Sequence, residues 1–191
     1  MLTEPGAVSL TPWVAVGLIL SGIVVTITDL RERRIYNKVT FPLMLIGVSV
    51  NALPVGWRVA AGDWRVGFYG FLVGLGVLFP AFAINMIKAG DVKYLAGVGA
   101  LGGPWVALFT FLYGSLVHGL ISLVILARRG EVKAAFSNIG YWFSRSAMTM
   151  KPADFEARTQ GQLPYAASLA VGLTVSVALG LTQGNVFPPW A

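Results

Sequence analysis

The sequence predicts an all-α polytopic membrane protein of six transmembrane segments, the fourth of them short, with a cytoplasmic amphipathic helix. Three observations carry that prediction. The 191-residue chain is 56% hydrophobic and only 12% charged, against about 25% charged residues in an ordinary soluble domain. Its mean hydropathy is +0.73. Its uncharged residues also cluster, in stretches 5–28, 39–57, 66–87, 94–127 and 159–191. Such a chain must be solvated by lipid, and the lipid bilayer is its first expected partner.

Each segment follows from length and from what interrupts it. A spanning helix needs about 20 residues. Stretch 5–28 is long enough, and Met1-Leu2-Thr3-Glu4 before it lacks a basic region, so it reads as a span and not a cleaved signal. Stretches 39–57 and 66–87 give the second and third spans. Stretch 94–127 is too long for one span and is broken by Gly102-Gly103-Pro104. It divides into a short helix, about 92–101, and a full one, about 105–127. The last span begins at Leu163 and ends near Leu181, before the breaker-rich Gln183-Gly184-Asn185-Val186-Phe187-Pro188-Pro189. The whole of 1–191 reads as one integral-membrane domain.

Lys and Arg set the orientation. Arg31, Arg33, Arg34 and Lys38 lie in loop 30–38, Lys88 and Lys93 in the turn at 88–93, and Arg128, Arg129, Lys133, Arg145, Lys151 and Arg158 in loop 128–162. With six spans all twelve share one side, and only Arg58 and Arg65 fall on the other. The positive-inside bias makes the first side cytoplasmic and turns both termini outward. Within loop 128–162, residues 131–147 place Val132, Ala135, Phe136, Ile139, Trp142, Phe143 and Ala147 on one stripe, with Lys133, Ser137, Ser144 and Arg145 on the other. That pattern predicts a basic amphipathic helix lying on the cytoplasmic leaflet. An ordinary packed helix in the loop is the alternative.

The net charge of +6 is therefore a matter of topology, and no nucleic-acid partner is expected. Gly97-Val98-Gly99-Ala100-Leu101-Gly102 matches G-x-G-x-x-G by letter but follows no strand. Close helix packing explains it better, as it does Gly70 and Gly74 in the third segment.

The absences narrow the chemistry. With no cysteine there is no thiol nucleophile, and the lone histidine, His118, cannot build a histidine-rich metal site. No metal or cofactor is expected, and His118 reads as a packed or hydrogen-bonded interior residue. Two aspartates stand out. Asp29 ends the first uncharged stretch, and Asp91 lies in the polar hexad Lys88-Ala89-Gly90-Asp91-Val92-Lys93. Both fall at the cytoplasmic ends of their segments, so a bundle can bring them together at one depth. Two carboxylates at one site cannot both ionise cheaply. The ionised one can activate water and the protonated one can hydrogen-bond a scissile carbonyl. The alternative is that each caps a helix or pairs with a neighbouring base. Arg31, Arg33 and Arg34 lie near Asp29, and Lys88 and Lys93 near Asp91.

The surrounding motifs favour the first reading. Ala89-Gly90-Asp91-Val92-Lys93, followed by Leu95-Ala96-Gly97-Val98-Gly99-Ala100, resembles the G-x-G-D-x-K signature of type IV prepilin peptidases, the membrane aspartyl proteases of pilins. The run Asp29-Leu30-Arg31-Glu32-Arg33-Arg34-Ile35-Tyr36-Asn37-Lys38 resembles that family's first motif, an Asp, a basic stretch and Ile-Pro-Asn. Leu163-Pro164-Tyr165-Ala166-Ala167 looks like the start of its last helix. The three motifs occur in order and cover nearly the whole chain.

The resemblance implies a membrane-embedded aspartyl endopeptidase with Asp29 and Asp91 as its catalytic pair. Gly90, Lys93 and Asn37 would support the motif, Gly90 by allowing close packing at Asp91 and Asn37 by orienting the first loop. Read from the residues alone, Lys93 is equally a snorkelling interfacial lysine, and Asn37 a helix N-cap. The implied partner is a prepilin with a short basic leader and a hydrophobic helix, cut just after a glycine at the leader boundary. The implied location is the inner (plasma) membrane, with the active site facing the cytoplasm. Two positions depart from the family: Lys88 stands where it has the first glycine of G-x-G-D, and Tyr36 where it has the proline. Longer members carry a Cys-x-x-Cys region tied to N-methylation of the pilin. This cysteine-free chain looks like the short, peptidase-only form of Flp-type (tight-adherence) systems. Two rival classes remain: a small proton- or cation-coupled carrier using Asp29 and Asp91, and a non-enzymatic scaffold. A carrier predicts acidic residues near the midplane and repeated halves with broken helices. A scaffold predicts that both aspartates are dispensable.

Overall fold

A computed structural model of the chain describes residues 12–52, 64–83, 87–130 and 165–183. These form six α-helices and no strand: α1 Pro12–Glu32, α2 Asn37–Ala52, α3 Trp64–Ala83, α4 Ala89–Gly102, α5 Pro104–Arg129 and α6 Tyr165–Gln183. Four of them, α1, α3, α5 and α6, are long and apolar enough to cross a membrane. The 16 residues of α2 and 14 of α4 rise only about 24 Å and 21 Å at ~1.5 Å per residue. The amphipathic segment 131–147 and most of loop 128–162 lie outside the described residues.

The short α4 is the centre of the bundle. Eleven of its residues, Asp91 among them, are buried, under α2, α3 and α5. α6 packs along α5 and α1. Outer positions such as Trp13, Leu45, Leu116 and Leu120 are exposed and apolar, as lipid-facing surface requires. The core runs through Leu18 and Val25 of α1, Leu78 of α3, Leu95 and Val98 of α4, and Leu169 and Leu173 of α6.

Glycine makes the central position possible. A Cβ on Gly70 of α3 would coincide with the carbonyl oxygen of Gly99 on α4, and one on Gly99 would meet that of Gly70. The two backbones touch directly, which only small residues allow. Asn51, buried on α2, adds a polar tie: its Nδ2 donates to Gly47 O at 2.8 Å and to Ala100 O at 2.9 Å. Gly103 then turns the chain at φ +89°, a conformation that disfavours any residue with a Cβ. Pro104 opens α5, where its missing N–H costs nothing.

Two boundaries differ from expectation. α1 does not stop where charge begins. It runs through Asp29 to Glu32, because Arg and Glu are good helix formers and the membrane surface solvates them. Arg33, at φ +52°, ends it. α4 begins at Ala89 instead of about 92, so Gly90 and Asp91 occupy its first turn.

Candidate active site

Asp29 is held one helical turn from the end of α1. Its backbone carbonyl accepts the Arg33 N–H at 3.0 Å. Its side chain is 6% exposed and looks inward, where Oδ2 accepts the Ala166 N–H of α6 at 3.1 Å. That contact joins residues 137 positions apart. It satisfies one of the unpaired donors at a helix start and fixes the carboxylate's orientation. Asp29 thus caps the last helix and not its own.

Asp91 sits in the first turn of α4 and is 5% exposed. Lys88 precedes the helix in extended conformation, and its carbonyl accepts the Asp91 N–H at 3.1 Å. The next residue back, Gly90, faces Ile35, whose Cβ would lie 3.0 Å from a Cβ on Gly90. The loop after α1 therefore lies close against the start of α4.

The two aspartates line one open cleft of about 310 Å³, together with Arg33, Arg34, Tyr36, Asn37, Lys88 and Gly90. The Lys88 ammonium lines the same cleft and faces both. Of the residues singled out from sequence, Asp29, Asp91, Gly90 and Asn37 meet here. Lys93 approaches from the side. Its Nζ donates to Asn37 Oδ1 at 3.1 Å and lies 5.2 Å from the centre of the Phe41 ring, so it ties α4 to α2. The Asn37 oxygen is engaged by Lys93, at the first residue of α2. Tyr36, in the proline's place, donates its hydroxyl to the Glu32 carboxylate.

His118 belongs to a separate polar group between α5 and α6. Its Nδ1 is 3.1 Å from Ser168 Oγ, and its ring meets Tyr165 edge-on at 5.0 Å. The Tyr165 hydroxyl is in turn 2.9 Å from Ser115 Oγ. Among the described residues no three His, Cys, Asp or Glu side chains cluster as metal ligands would. Sequence reasoning missed Asn51 and the Ala166 contact. Asn51 left a signal, as a lone amide within the uncharged stretch 39–57. The Ala166 donor left none, because it is a backbone group.

Two buried carboxylates opening on one cleft, with cations at the rim, can hold a water and a peptide carbonyl between them and pass protons without a metal. Neither curated proteins nor solved structures yield a match to the chain. The profile of the type IV leader peptidase family matches residues 16–123, which contain both aspartates and the cleft. The match spans more than half of the chain, and the protein belongs to the type IV leader peptidase family: it is a membrane peptidase of that family.

Proposed function

We propose that Asp29 and Asp91 form the catalytic dyad, and that it removes the leader of type IV-like prepilins at the cytoplasmic face of the inner membrane. The observation that carries this reading is the shared cleft: two buried aspartates open on the same space. One carboxylate takes a proton from water as the water oxygen attacks the scissile carbonyl carbon. The other, protonated, hydrogen-bonds the carbonyl oxygen. The tetrahedral intermediate then loses the leaving amine, which carries away a proton from the dyad. The protons belong to the pair and not to either residue alone.

The finer topology follows the charge distribution. Six membrane segments with the fourth, α4, short, both termini outward, and helix 131–147 on the cytoplasmic leaflet would set the cleft at the inner surface. The substrate's hydrophobic helix would lie in the bilayer with its leader boundary at the cleft. Gly90 and Asn37 shape that cleft and Lys93 steadies it.

The test is reconstitution in vesicles with a prepilin peptide, comparing wild type with Asp29→Asn and Asp91→Asn. Loss of cleavage in both variants is expected. Leader removal that persists in either one would overturn the dyad.

A further inference from the structure

We propose that Lys88 is a positioning residue that locks the two aspartates in register through a continuous chain of hydrogen bonds. The Arg33 N–H donates to Asp29 O at 3.0 Å, the Lys88 Nζ donates to Arg33 O at 3.1 Å, and the Asp91 N–H donates to Lys88 O at 3.1 Å. Three hydrogen bonds thus connect the backbone of one aspartate to that of the other. Lys88 is the only member of the chain that uses a side chain, so substitution can open the link there without touching either helix.

The contact also solves a local problem. Arg33 leaves α1 in the left-handed region at φ +52°, and carbonyls at a helix end lack intrahelical donors. An ammonium both satisfies that carbonyl and complements the negative end of the helix. A glycine at position 88 could do neither. A lysine that merely snorkelled to the lipid surface would not make this bond. In this chain the residue that breaks the G-x-G-D pattern supplies a tie between the two halves of the cleft.

The proposal rests on the dyad reading for its kinetic effect but not for its geometry, and the experiment separates the two. The chain has no cysteine, so spin labels at Arg31→Cys and Ala89→Cys, both exposed positions, report the separation of α1 and α4 uniquely. Wild type, Lys88→Met and Lys88→Arg are compared in that background and without labels. Lys88→Met should broaden the label distance distribution and lower kcat about tenfold, with KM for the prepilin peptide within about twofold, because misalignment affects the chemical step more than binding. Lys88→Arg keeps the charge and the donor, and should restore a narrow distribution and roughly half or more of kcat. A Lys88→Met protein with the wild-type distribution, or with wild-type kcat, overturns the proposal. Should wild type itself fail to cleave, the peptidase reading of the dyad falls, while the label distances still decide the Lys88 link.

Discussion

At its Ala89 end α4 carries Gly90, Asp91 and Lys93; at its other end it carries Gly97, Gly99 and Gly102 and closes on Gly103. Both ends use glycine, for different purposes. A Cβ on Gly90 would lie 3.0 Å from the Cβ of Ile35, a tight contact with one side chain, whereas one on Gly99 would lie inside the van der Waals surface of the Gly70 carbonyl oxygen. The first end borders an open cleft and the loop after α1. The second is packed backbone to backbone. One helix therefore joins a region where shape is tolerant and chemistry is exacting to one where shape is exacting and chemistry is absent.

Substitutions should divide the same way. The largest effect is expected for Asp29→Asn and Asp91→Asn. Each should lower prepilin cleavage at least about 10³-fold, near 4 kcal/mol of transition-state stabilisation, while the unfolding midpoint in detergent stays close to wild type. Gly70→Ala should show the reverse pattern. Its methyl has no space against Gly99, so unfolding should become easier by about 3 kcal/mol, measured by thermal or denaturant titration in micelles. A stable, active Gly70→Ala protein would break the contrast. Asn51→Ala leaves Ala100 O without its side-chain donor and should cost about 1.5 kcal/mol in the same titration, with cleavage per folded molecule unchanged. Lys93→Met loses the Asn37 bond and the Phe41 contact at the tolerant end, and should cost only about 0.5–1 kcal/mol with a few-fold change in kcat. Gly76→Ala, on α3 where nothing lies within 4 Å of an added Cβ, should stay within about 0.5 kcal/mol of wild type and cleave normally.

Much of this contrast is legible before any coordinates. Uncharged stretches and the Gly102-Gly103-Pro104 break locate the long helices and the short one, because lipid solvation and backbone sterics act on local sequence. Asp29 and Asp91 stand out for a similarly local reason: carboxylates at the edges of apolar stretches are rare. Helix ends are less legible. Charge marks where lipid stops, but Arg31 and Glu32 are content in a helix, so α1 outlasts its apolar run. Contacts between distant groups are not legible at all. The Lys88 bond spans 55 residues and the Ala166 bond 137, and both use backbone atoms that every residue possesses. Lys88 announced itself only as an irregularity in a motif, and Asn51 only as an amide in apolar surroundings.

The brevity of α4 bears on how the protein is made. About 21 Å of helix falls short of a hydrocarbon layer of ~30 Å, and the turn at Gly103 leaves irregular backbone buried in the bundle. Such backbone is tolerated where protein groups satisfy it. Here Gly99 O accepts the Gly103 N–H at 2.7 Å, and Asn51 serves Ala100 O. A segment comprising residues 89–102, offered alone to a membrane-insertion assay, should remain outside the bilayer, whereas α1, α3, α5 and α6 should each enter. If so, insertion is a collective event at the centre of the bundle: α4, with the proposed dyad member Asp91, would reach its place only once α2 and α3 are there to pack against it.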